Sequence, residues 1–222
     1  MKGSSIYNSL LLSVAIQIIT GLVELSALFI PVPAPYVFLK QMMLLELSVQ
    51  IIEGSFYAYW LYNFKKIQNV TPTRYYDWGI TTPTMLINLI MYLIFLKDKD
   101  KQLDFLQVFS EEIYTIFPVL MLNWLMLLFG FLSETFVIPT MTAVTLGFIP
   151  FALYYYIIYE KYAKFTTEGL AIFNYFLFFW AIYGIAAYFP YNIKNTFYNI
   201  LDLFSKNFFG IFLFYMIYTN KQ

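Results

Sequence analysis

The sequence contains no cysteine and no histidine. The first absence excludes disulfides and thiol nucleophiles, and the second excludes imidazole acid–base work. Together they remove the usual ligands of zinc and of most transition metals, so neither a metal centre nor a catalytic site is expected. Any chemistry must run on carboxylates, Lys, Arg, Tyr or a bound cofactor. Charge is also scarce. Only 12% of the 222 residues are charged, 13 basic against 13 acidic, where soluble domains carry about 25%. What remains is apolar, at 61% hydrophobic and 23% aromatic, with a mean hydropathy of +0.67. This balance argues against a soluble enzyme, a disordered chain and a nucleic-acid-binding protein. It fits one polytopic membrane domain over residues 1–222.

A helix needs about 20 mostly apolar residues to cross the hydrocarbon core. Seven stretches qualify: Ile6 to Ile30, Pro35 to Tyr62, Tyr75 to Leu96, Glu111 to Leu132, Phe136 to Tyr162, Thr167 to Phe189 and Asn195 to Tyr218. Turn and charge signals separate them, including Pro31-Val32-Pro33-Ala34-Pro35, the charged run Lys97 to Lys101, the pair Ser133-Glu134 and the segment Pro190 to Lys194. The predicted fold is an all-α membrane protein, a seven-transmembrane-helix bundle in which successive helices are antiparallel. The first stretch is too long for a signal-peptide core and reads as a retained helix. Loop lysines set the orientation. Lys97, Lys99, Lys101, Lys161, Lys164 and Lys221 lie on one side, and Lys2, Lys65, Lys66 and Lys194 on the other. The bias favours an extracellular N-terminus.

Most aromatics at this density face lipid or fill the bundle. Ionisable groups within spans are costly and usually functional. Here they are Glu24, Glu46, Glu53, Asp77, Asp202 and Lys206, with Arg74 at the edge of the third span. Lys206 is near mid-membrane, and Asp202, four residues earlier, shares its helix face. That pair alone is open to two readings: a buried salt bridge, or a lysine joined covalently to an aldehyde with Asp202 as counterion.

Three motifs decide between them. The third span opens Arg74-Tyr75-Tyr76-Asp77-Trp78 and continues Thr81-Thr82-Pro83, the sixth contains Trp180-Ala181-Ile182-Tyr183, and the last contains Asp202-Leu203-Phe204-Ser205-Lys206. In these three helices the chain resembles the microbial rhodopsins. The resemblance implies that Lys206 carries all-trans retinal as a protonated Schiff base. It makes Asp77 and Asp202 the counterions, supported by Arg74, and puts Trp78, Thr82, Trp180 and Tyr183 around the chromophore. Gly184 stands where the family commonly has proline. Asn88 stands where outward proton pumps have a carboxylate donor, which weakens a pump reading.

Three polar sets share a spacing of four, three and four residues: Ser13, Gln17, Thr20 and Glu24; Glu46, Gln50, Glu53 and Tyr57; Asn195, Asn199, Asp202 and Lys206. Each forms one helical stripe. Single members could simply hydrogen-bond between helices, but two carboxylates a heptad apart are better explained as lining a cation path. The pattern is similar to the first group of viral rhodopsins, light-gated cation channels of large algal viruses. That resemblance implies an ion pathway through Ser13, Glu46, Glu53, Asn199 and Asn207, with monovalent cations or protons as the transported species. It also implies a virus-encoded, multi-pass protein of the host cell membrane, surrounded by lipid and able to form homo-oligomers. The alternatives are a light-driven outward proton pump and a sensory rhodopsin signalling to a partner. Neither Glu46 nor Glu53 is expected to pair with Lys206.

Overall fold

The computed structural model describes residues 4–221; Lys2, one of the orientation lysines, lies outside them. Nine α-helical segments occur among the described residues. α1 (Ser4–Ala27), α2 (Val37–Tyr62) and α3 (Thr71–Lys97) are single rods. A short α4 (Phe105–Glu111) leads through Glu112 into α5 (Ile113–Glu134), and α6 (Thr140–Lys161) and α7 (Thr167–Ala186) follow. α8 (Tyr191–Asp202) and α9 (Phe208–Thr219) are joined by one π-helical turn, Leu203–Asn207. The nine segments make seven membrane-length rods in the expected antiparallel order. The end of the bundle where α1 begins is called the N-face here, and the opposite end the C-face.

Six rods are long and apolar enough to cross a membrane. α2 has the length, 26 residues, but carries Lys40, Glu46 and Glu53. It packs between α1 and α3 and crosses with them, its two carboxylates turned inward. The outer surface is apolar, with Ile18, Ile19, Leu22, Ile51 and Phe178 all more than half exposed. Such a continuous apolar coat belongs in lipid. Toward the C-face the interior is an apolar layer, where Leu89 to Leu96 of α3 meet Phe38, Leu39 and Met42 of α2 and Phe209 and Leu213 of α9. The polar groups gather above it.

The sequence-read boundaries move at several helix ends. α3 starts at Thr71 with Pro72 in its first turn, and α8 starts at Tyr191, directly after Pro190. Proline suits the first turn because its missing N–H would be unpaired there anyway. Tyr191 to Lys194 are thus helical and not a loop. Ser133 and Glu134 also remain helical, in α5. Lys194 Nζ meets Glu134 Oε1 at 2.5 Å, both side chains nearly buried, which holds the last turn of α5 against α8.

Two local features follow from backbone chemistry. Pro83 cannot donate to the carbonyl of Gly79, and the indole N–H of Trp124 in α5 donates to that oxygen instead, at 2.8 Å. α5 ends in a Schellman-type turn, where the N–H groups of Phe136 and Val137 donate to the carbonyls of Ser133 and Leu132. Phe136 takes the left-handed conformation this turn requires, at φ 61°, and its side chain is 89% exposed. A side chain is unfavourable there by about 1 kcal/mol. Phe136→Gly is therefore expected to stabilise the bundle by up to about 1 kcal/mol, read as a higher thermal midpoint in detergent. An unchanged or lower midpoint would show that the ring's contacts outweigh the strain.

Candidate functional site

Lys206 lies within the π turn, near the middle of the 29-residue span Tyr191–Thr219. A π turn widens the helix and displaces side chains from their regular register, and such turns recur at functional sites. One loosened carbonyl, that of Phe204, accepts from the Tyr175 hydroxyl at 2.7 Å. The lysine amine is 2% exposed and faces three carboxylates: Asp77 Oδ2 at 3.1 Å, Glu53 Oε1 at 3.2 Å and Asp202 Oδ1 at 3.6 Å.

The three acids are held differently. Asp202 is fixed from both sides: Tyr57 donates a short hydrogen bond to Oδ2, and Tyr183 donates to Oδ1 at 2.7 Å. Tyr183 also bonds Ser205 at 2.7 Å, and Arg74 Nη1 stands 3.7 Å from Asp202 Oδ2. Asp77 receives a hydrogen bond from Lys206, and its Oδ1 has no partner. Glu53 touches the amine without a hydrogen bond to either oxygen. The expectation that Glu53 stands clear of Lys206 is thus wrong. Seven residues along α2 are about 10 Å, so the two glutamates lie at different depths and only Glu53 reaches the amine.

Arg74 caps the cluster toward the N-face. It is 1% exposed and donates to Asn195 Oδ1 at 3.0 Å, Tyr57 OH at 3.2 Å and Asn199 Oδ1 at 2.5 Å. Its guanidinium lies 4.8 Å from the Trp60 ring, a favourable cation–π placement. Arg74 stands in the first turn of α3, at the edge of the span as expected, and is turned into the bundle.

The residues expected along an ion pathway are all buried, at three depths. Near Arg74, Ser13 donates to the Asn199 carbonyl at 3.0 Å. Glu53 is level with the amine. Toward the C-face, Asn207 donates to Gln50 Oε1 at 3.2 Å, Gln50 to the Gln17 carbonyl at 3.0 Å, and Asn88 to Glu46 Oε2 at 2.9 Å. The three polar stripes read from the sequence thus face one another as one buried file along α1, α2 and the last rod.

On the other side of Lys206 a partly open cavity runs between α3, α5, α6 and α7. Trp78, Thr82, Trp180 and Tyr183 are among its lining residues, together with Met126, Phe148 and Phe151. Thr82 accepts from Asn123 of α5 at 2.8 Å. Asn123 was missed by the sequence reading, although a fully buried amide in so apolar a span was itself a signal. Gly184 also lines the cavity, and a methyl group there would stand 2.7 Å from the Phe148 ring. A side chain at 184 would displace that ring, so the glycine sets the cavity's width.

The sequence model of the bacteriorhodopsin-like protein family matches residues 6–220. A search of curated protein sequences finds no match. Among solved structures, the viral rhodopsin OLPVRII is similar at a TM-score of 0.86 and 24% identity, over 96% of this chain and 98% of that one. Xanthorhodopsin, described as a light-driven ion pump with dual chromophore, gives 0.76 at 18% identity over 99% and 94%. The bromide-bound form of halorhodopsin from Halobacterium salinarum gives 0.71 at 15% identity over 99% and 96%. At these identities the structures share the fold.

Proposed function

The chain belongs to the bacteriorhodopsin-like protein family, whose members bind retinal as their chromophore, and from that premise we propose that it is a light-gated cation channel. The observation that carries the reading is the buried polar file, which passes the amine of Lys206 and includes two carboxylates of α2. The cavity's lining suits the chromophore: it is mostly aromatic and apolar, and the buried Lys206 is part of it. Joined to Lys206 as a protonated Schiff base, all-trans retinal would supply visible absorption and a light-driven change of shape at that amine.

The chain's own residues do the rest. Trp78 and Trp180 fix the cavity walls, and Thr82, tied to Asn123, orients the middle of α3. Asp77 and Glu53 balance the positive charge at Lys206 Nζ. Asp202 is clamped by Tyr57, Tyr183 and Arg74, and so anchors the cluster while the other two acids are free to respond. When Nζ moves, its contacts with Asp77 and Glu53 break together. The side chains left behind draw water into the file, where Glu53 and Glu46 attract cations and repel anions. Ser13 and Asn199 form the passage beside Arg74, and Asn207 the passage beside Gln50. With the N-face extracellular, as the loop lysines favour, cations would enter past Arg74. The paired glutamates resemble those of the first group of viral rhodopsins. That likeness supports a virus-encoded protein of the host cell membrane.

A second reading, an outward proton pump, draws on two observations. Asp77 lies 3.1 Å from the amine, and Glu46 beside Asn88 stands where a proton donor would be needed. Glu46→Gln separates the two. A channel should keep a reversing photocurrent with altered cation selectivity and an unmoved absorption band, because Glu46 does not touch Lys206. A pump should instead show slower recovery and a smaller one-way current. Photocurrents under voltage clamp in sodium, potassium and proton gradients give the answer.

A further inference from the structure

Five carboxylates are buried among the described residues, and the proposed function gives a role to four of them: Asp77 and Asp202 at the amine, and Glu46 and Glu53 in the path. The fifth is Glu24. It is 0% exposed, and neither of its oxygens meets a hydrogen-bond donor. A bare carboxylate in such a place is very unfavourable, so its oxygens must be met by a proton, a water molecule or a cation.

The position of Glu24 is set by a glycine. A Cβ built on Gly210 of α9 would fall within the Glu24 carboxyl group. The missing side chain is therefore what lets this carboxyl lie against the backbone of α9. Gly210 is four residues beyond Lys206, one turn along the same rod, directly after the π turn. A shift of the rod at Lys206 is carried to Gly210 through a single turn of helix, and Gly210 has no side chain to absorb it.

Glu24 also ends the polar file. It closes the stripe of Ser13, Gln17 and Thr20 on α1, all buried as it is. Along the file Gln17 Oε1, Asn88 Oδ1 and Asn207 Oδ1 lack hydrogen-bond partners, as does one donor, Gln17 Nε2, so with the two oxygens of Glu24 the unpaired acceptors outnumber the unpaired donors. Beyond it lies the apolar layer of Phe38, Leu39, Met42 and Leu213.

We propose that Glu24 is the inner gate of the ion path: its carboxyl, seated in the space left by Gly210, closes the file where α1 meets α9, and movement of α9 that begins at Lys206 displaces it toward water and cations. The inference rests on the channel reading and adds to it the residue that couples the chromophore-bearing rod to the C-face end of the path.

The test is a light-minus-dark infrared difference spectrum of the full-length, retinal-loaded protein in lipid, with photocurrents recorded beside it. The expected result is a carboxyl stretching band that disappears in Glu24→Gln and shifts in Glu24→Asp, while the visible band of both variants stays in place. Gly210→Ala should also shift the infrared band, because the added methyl takes the carboxyl's space. Glu24→Gln should change the size or selectivity of the photocurrent. A difference spectrum with no band dependent on residue 24, or a Glu24→Gln photocurrent identical to wild type, overturns the inference. If Glu24→Gln does not fold, Glu24→Asp provides the same comparison. A one-way current in the wild type counts against the channel reading alone, because the response of Glu24 is read in the infrared.

Discussion

Lys206→Ala is expected to abolish visible absorption entirely in protein supplied with retinal. Lys206 is the buried amine in the cavity's lining, and the change removes the point of attachment. Helix content should survive, because the seven rods are held by lipid-facing and interior apolar surface that the substitution leaves intact. Stability should not survive unchanged. Asp77, Glu53 and Asp202 converge on the amine within 3.6 Å, and removing one partner of a buried ion pair costs about 3–5 kcal/mol. The variant should therefore melt well below the wild type in detergent, by circular dichroism, while showing the same helical spectrum at low temperature. A visible band that persisted in Lys206→Ala would disprove the assignment.

The second large effect concerns which acid governs colour. A carboxylate beside the positive amine lowers the energy of the chromophore's ground state, so neutralising it should shift absorption to the red. Asp77→Asn should show this shift at neutral pH, and acid titration of the wild type should approach the same spectrum. Glu53→Gln should shift in the same direction, because Glu53 lies only 0.1 Å farther from the amine than Asp77 does, at 3.2 against 3.1 Å. Asp202→Asn is a different case. It breaks contacts with Tyr57, Tyr183 and Arg74 as well, and its main effect should be lost stability. A red shift in Glu53→Gln with none in Asp77→Asn would move the primary counterion from α3 to α2.

Much of this was legible in the sequence, for physical reasons. Apolar blocks of membrane length identify spans whatever their neighbours, and the seven rods follow from them. Stripe spacing is a property of one helix, so Ser13, Gln17, Thr20 and Glu24 could be aligned before any packing was known. Helix ends were harder. Thr71 to Thr73 and Tyr191 to Lys194 fell outside the spans read from the sequence, although Pro72 and Pro190 mark the starts of their helices. The contact of Glu53 with Lys206 depends on the relative depth of two rods. Neither the π turn at Leu203–Asn207 nor the meeting of Glu24 with Gly210 has a local sequence signature.

The central claim is that light opens a cation path through the file from Arg74 to Glu46. It is tested most directly by the wild-type photocurrent under voltage clamp, recorded with unequal cation concentrations across the membrane. The account predicts a current that reverses sign, at a potential that moves with the cation gradient and is insensitive to the anion. A photocurrent of one direction at every voltage would contradict it.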